Sequence, residues 1–184
     1  LLRADAIVNG LEISAMHSRG FEDHLTQSLY VTELVAANLL GEDIRTLAPD
    51  GIGRRLFTTL QRAPFLRSLS LIDGHGQIVA SSNPANFGVT LETKDYLPLA
   101  SEKRSILRIG QPWSGRDFAN GTPSSTQKPL DSEVINFIPV TQTLEIEGRS
   151  LTLLVALNPD YFINHISQKI GTDEGSVEIL RYDG

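Results

Sequence analysis

The sequence predicts an α+β fold in which a long N-terminal helix precedes hairpin-connected strands and three shorter helices. Three observations carry this. Apolar residues recur at spacings of three and four from Ala4 to about Leu40. The period changes to two on either side of Asp73-Gly74-His75-Gly76, which is the mark of a hairpin. Asn158-Pro159-Asp160, a strong helix start, directly follows Leu151 to Leu157, the most apolar run in the chain.

The first helix is written in Ile7, Leu11, Ala15, Phe21, Leu25, Leu29, Thr32, Ala36 and Leu39. Gly10 and Gly20 leave open whether it is one bent helix or two. A helix of about 35 residues exceeds the roughly 10–14 that a globular core needs. That excess predicts a stalk, or a face shared with a second copy of the chain. A second helix is expected from Ile52 to about Gln61, ended by Pro64.

Leu69 to Ile72 and Gln77 to Ser81 read as the hairpin strands, with Gly and Asp supplying the turn. Thr93 can cap a short helix over Lys94 to Glu102, which Pro98 limits. Ile106 to Ile109 reads as a strand closed by Gly110-Gln111-Pro112. Phe118 to Ser132 has no period and is expected to be a surface loop. Glu133 to Val140 and Ser150 to Leu157 are the next strands, joined through the polar segment around Glu147-Gly148. The last helix runs from Pro159 to about Ile170, and Gly171 stops it. Finally Ser176 to Gly184 echoes Ser68 to Gly74: an alternating strand that ends in Asp-Gly.

Bulk properties narrow the function. The 184 residues hold 16 basic and 22 acidic side chains, a net charge of −6 dispersed along the chain. Nucleic-acid or anionic-membrane binding selects for clustered Lys and Arg, so neither is expected. With no cysteine, disulfides, thiolate metal sites and thiol catalysis are excluded together. No apolar run approaches the roughly 20 residues that span a bilayer. The sequence has no G-x-S-x-G elbow, Walker loop or H-E-x-x-H. Asp73, His75 and Ser81 lie close together, but a tight hairpin projects them in different directions. His17 and His24 share a helix face without a third ligand at matching spacing. No enzyme activity, cofactor or metal is therefore expected.

One ordered set of segments resembles a known family. Leu71-Ile72-Asp73-Gly74-His75-Gly76-Gln77-Ile78-Val79-Ala80-Ser81-Ser82 is similar to the signature hairpin of double Cache sensor domains. Gly88 with Lys94-Asp95-Tyr96 resembles the segment that opens that family's pocket helix. Leu107 to Pro112 followed by Gly115-Arg116 resembles the next strand and loop, and Leu157 to Phe162 the helix between the two modules. The resemblance implies a PAS-like antiparallel sheet flanked by helices, with the long N-terminal helix in front. It also implies an extracytoplasmic, periplasmic sensor joined through transmembrane segments to a cytoplasmic output module. That output is a diguanylate cyclase or phosphodiesterase, a histidine kinase or a chemoreceptor. Gly115-Arg116 and the terminal Arg181-Tyr182-Asp183-Gly184 look most like the cyclase-linked members.

On this reading residues 1–50 form a helical stalk and dimerisation segment, 51–171 a membrane-distal module, and 172–184 the start of a proximal one. The expected ligand is a small organic or amino-acid-like molecule, most simply an anion. Arg108 and Arg116 can each pair with a carboxylate through two parallel bonds. Tyr96 and Trp113 can supply aromatic walls with a polar edge, and Asp117 or Asn136 can receive an amine. The partner expected from the long helix is a second copy of the chain, forming a homodimer. The alternative to a ligand sensor is a ligand-free dimerisation and relay module.

Overall fold

In the computed structural model the described residues are 2–41, 49–92, 107–123, 135–146 and 148–170. The element order is α1 (Leu2–Gly41), α2 (Pro49–Leu60), β1 (Leu66–Ile72), β2 (Ile78–Ser81), β3 (Leu107–Ile109), β4 (Trp113–Ser114), β5 (Thr122–Pro123), β6 (Asn136–Ile146), β7 (Arg149–Leu157) and α3 (Pro159–Ile170). The expected helix at 94–102 and the Asp-Gly strand at 176–184 lie outside the described residues.

The chain divides into two compact units, Leu1–Ser28 with Asp160–Gly184, and Leu29–Pro159. The division falls inside α1. In the first unit, α1 carries Gly10 and Gly20 in its interior, and a side chain at either would meet nothing. The helix therefore runs through both glycines, resolving the choice between one helix and two. Phe21 meets Phe162 edge-on at 6.3 Å, and His24 stacks on Tyr161 at 5.6 Å. Phe162 is 2% exposed and anchors this aromatic group.

The second unit is built on an antiparallel sheet. Its order is β2-β1-β7-β6-β4-β5, with β3 also pairing with β6. The eleven-residue β6 carries β7 along one edge and, along the other, β3 and then β4 end to end. Between Ile109 and Trp113 the pairing slips by one residue, so Gln111-Pro112 forms a bulge in an otherwise continuous edge.

The hairpin turn closes as its residues require. Asp73 Oδ1 accepts from the His75 and Gln77 amides at 2.8 and 3.0 Å, and Gly76 takes φ +82°. Helix α2 packs across β1 and β2. Its Gly53 makes the approach close, since a Cβ there would sit 2.8 Å from the Ser81 carbonyl oxygen.

Two expectations need correction. The strand after 133 does not stop at Val140: β6 continues through Thr141-Gln142-Thr143-Leu144 to Ile146. These polar residues are compatible with a strand because they alternate across both faces of a sheet buried on each. The stretch after Phe118 is also not wholly loop, because Thr122-Pro123 pairs with Trp113-Ser114 as β5. Two-residue strands leave no period to read.

Candidate functional site

Residues directly opposite in an antiparallel pair share a face, so the registers sort the side chains. One row crosses five strands: Arg108 lies opposite Thr141, Thr141 opposite Leu154, Leu154 opposite Ser70, and Ser70 opposite Ser81. The adjacent row on the same face holds Thr143, Thr152, Ile72 and Ile78. A buried sheet face is normally apolar. Here it carries a guanidinium and a run of hydroxyls, and Thr141 and Ser70 are buried as fully as any leucine.

Leu154, Ile72 and Ile78 of these rows belong to an apolar cluster that also holds Leu91, Trp113, Phe118, Phe137 and Ala156. Trp113, Phe118 and Phe137 pack with ring centroids 4.8 to 5.8 Å apart, the Phe118 contacts edge-on. Gly121 is required there, as a Cβ would lie 2.7 Å from the Phe137 ring. The face thus offers an apolar floor beside a polar row, the composition of a small-molecule site.

The polar groups on this face divide into satisfied and unsatisfied. Ser70 Oγ and Ser81 Oγ share a hydrogen bond of 2.8 Å. Among the described residues, Arg108 Nη1, Thr143 Oγ1 and Trp113 Nε1 are buried without any hydrogen-bond partner. Three donors on one face lack acceptors, and leaving such groups dry and unmatched costs about 1–3 kcal/mol each.

The sequence-derived candidates are placed as follows. Arg108 and Trp113 come together on this face, along the same edge of β6. Asn136 is opposite Ser114, one residue out of phase with the Trp113–Phe137 pair, so it belongs to the other face. Tyr96 lies outside the described residues. Arg116 is exposed in the turn after β4 and makes no hydrogen bond or ion pair among the described residues.

Asp117 is 6% exposed, and both carboxylate oxygens are occupied. Oδ1 accepts from Ser68 Oγ at 2.6 Å and the Phe118 amide at 2.8 Å. Oδ2 accepts from Asn83 Nδ2 at 2.9 Å and Asn86 Nδ2 at 2.7 Å. Both asparagines are committed in turn, because Asn83 Oδ1 caps the 3-10 turn Pro84–Asn86 through Ala85 N and Asn86 Oδ1 takes the Ala119 amide. This carboxylate ties the turn after β2 and the turn after β4 to β1.

The sequence reading missed Thr141, Thr143 and Thr152 as members of the site. Their signal was present in the alternation Val140-Thr141-Gln142-Thr143-Leu144, which places the two threonines on one face and leaves the strand's apolar period intact.

No protein-family model matches the chain, and no curated protein is similar to it in sequence. Among solved structures it is similar to "Crystal Structure of the extracellular domain of the putative histidine kinase rpHK1S-Z16", with a TM-score of 0.59 at 14% identity. The match covers 82% of this chain and 58% of that one, so the chain spans under two thirds of its neighbour's length. The fold is PAS-like. At this identity the likeness concerns architecture alone: a curled antiparallel sheet with helices and a long N-terminal helix, as the resemblance implied.

Proposed function

We propose that this chain is the ligand-binding sensor module of a transmembrane signalling protein, and not an enzyme. The reading rests on one observation: among the described residues, the buried Arg108 Nη1 and Thr143 Oγ1 have no hydrogen-bond partner on a sheet face with an apolar floor. A donor set without acceptors is completed by a ligand that brings acceptors, and a guanidinium favours a carboxylate or similar anion. The ligand is a small organic acid or amino-acid-like molecule held over Arg108, Trp113 and Thr143, with Tyr96 assigned to the segment preceding β3. No general base with a nucleophile and an orienting acid gathers among the described residues of this face.

The double Cache assignment and an extracytoplasmic location are supported by the ordered motifs and by the neighbour's being an extracellular domain. That neighbour supports a histidine kinase as output, while Gly115-Arg116 and the terminal segment favour a diguanylate cyclase. Ligand binding shifts a pre-existing two-state equilibrium, which α1 conveys. The test is a thermal-shift screen of organic and amino acids. A stabiliser is expected whose effect disappears in Arg108→Ala and in Tyr96→Ala. Equal stabilisation of both variants and wild type refutes the site.

A second reading, a ligand-free dimerisation module, is favoured by one observation. In α1, Ile7, Val8, Leu11 and Met16 are each more than half exposed, an apolar surface on a helix that continues for 40 residues. Light scattering of the purified chain tests it, with Leu11→Glu expected to abolish self-association. Dimers unaffected by Leu11→Glu would locate the contact elsewhere.

A further inference from the structure

Helix α2 carries Asp50, Arg54 and Phe57 at i, i+4 and i+7, the spacing of one helix face, and all three are exposed. Gly53 lets this part of the helix approach the end of β2, where it meets the Ser81 backbone. A cavity of about 460 Å³ opens beside that contact, lined by this stripe and by Ala80, Pro84 and Phe87. All of it lies within the second unit. Of the row that begins at Arg108, only the far member, Ser81, lines the cavity. Arg108 is four strand spacings from Ser81, about 19 Å along the sheet at roughly 4.8 Å per spacing.

Phe57 and Phe87 leave 48% and 59% of their surface in water, so two aromatic rings from different elements border one hollow. The Phe87 wall is fixed in place. Asn83 Oδ1 caps the 3-10 turn Pro84–Asn86, and the Phe87 amide donates to the Pro84 carbonyl at 3.2 Å. The hydroxyls that line the cavity are committed: Ser81 Oγ bonds Ser70 Oγ and accepts from the Asn83 amide, and Ser82 Oγ accepts from the Leu69 amide. What remains is the charged pair on α2. Asp50 and Arg54 are opposite charges four residues apart, a spacing at which such side chains ordinarily pair. Yet neither the carboxylate nor the guanidinium makes a hydrogen bond or ion pair among the described residues.

A carboxylate and a guanidinium side by side above an apolar hollow match a molecule with an ammonium and a carboxylate on one carbon and an apolar group beside them. We infer that this cavity is a second binding site, for a free α-amino acid with a large apolar side chain. Arg54 donates to its carboxylate through paired N–H groups, and Asp50 accepts from its ammonium. The side chain lies against Phe57 and Phe87 and takes their exposed surface out of water. The volume falls within the range of small-ligand sites.

The probe is L-phenylalanine, titrated calorimetrically into the folded chain, and wild type is expected to bind it. N-acetylphenylalanine lacks the ammonium and phenylalanine amide lacks the carboxylate. Each should bind about 5- to 20-fold more weakly, the worth of a charge-assisted hydrogen bond discounted for solvent exposure. Arg54→Ala and Asp50→Asn, both changes at exposed side chains, should weaken L-phenylalanine by a similar factor. Arg108→Ala should leave its binding unchanged, so failure of this site and failure of the sensor face are read from different variants. The inference is overturned if L-phenylalanine does not bind, if both derivatives bind as tightly, if Arg54→Ala binds as wild type does, or if Arg108→Ala abolishes the binding. It is also overturned if sedimentation shows a dimer that Phe57→Ser or Phe87→Ser disperses, since the two rings then belong to a contact between copies.

Discussion

Replacing Asp117 by asparagine, a change of one atom, is expected to cost as much stability as removing the side chain altogether. Ser68 and Asn86, two of the groups that donate to its carboxylate, are 0% exposed. In Asp117→Ala both lose their acceptor out of reach of water, at about 1–3 kcal/mol each. Releasing a buried carboxylate returns part of this, so the net loss is about 2–4 kcal/mol. For Asp117→Asn the new amide can keep its oxygen toward Ser68 and the Phe118 amide, but its NH2 then faces two other NH2 groups. Neither neighbour can turn its oxygen inward. Asn86 would give up the Ala119 amide, and Asn83 would give up its cap on Ala85. The assay is urea unfolding followed by fluorescence of Trp113, the only tryptophan, 3% exposed within the unit concerned. The thermal midpoint should fall by about 5–15 °C, at about 2–4 °C per kcal/mol for a chain of this size. An Asp117→Asn variant within about 0.5 kcal/mol of wild type would refute the locked-asparagine reasoning.

Three further outcomes are expected. Gly53→Ala should destabilise by about 1–2 kcal/mol despite alanine's better helix propensity, because its Cβ meets the Ser81 backbone and not a movable side chain; a urea midpoint at or above wild type would count against the close contact. Arg108→Met should leave the ligand-free chain as stable as wild type, or up to about 2 kcal/mol more stable, since it removes a buried donor that has no acceptor among the described residues; the same melts read it. Phe162→Ala should cost about 3–5 kcal/mol by emptying the packing against Phe21, His24 and Tyr161, seen as lost near-ultraviolet ellipticity from the tyrosines.

What could be read in advance was whatever is encoded locally. The turn at Asp73–Gly76 announces itself within four residues, and Asn158-Pro159-Asp160 starts α3 where such a triplet should. Arg108 and Trp113 could be named by residue type, and the structure does bring them to one face. Asn136 could not be sorted from Phe137 without the register, and a slip of one residue decides the face. Asp117 drew notice as a carboxylate beside an arginine, but its partners Ser68 and Asn86 are 49 and 31 residues away in sequence. No local pattern records that closure. The polar stretch of β6 was misleading for a related reason: Thr141 and Thr143 face the candidate site, so their chemistry departs from what a core strand would carry.

The position of β1 between β2 and β7 also governs how the chain must be made. Its neighbour β2 arrives within a few residues, but its other edge waits for β7, which pairs Ser70 with Leu154 and Leu71 with Leu153. During synthesis the β1–β2 hairpin therefore emerges long before the strand that completes it, presenting Leu69, Leu71 and an open row of backbone amides. Pairings of such long sequence separation form slowly, and an unpaired apolar edge is an invitation to aggregate. Until Leu157 has left the ribosome, the hairpin is a natural client for a chaperone.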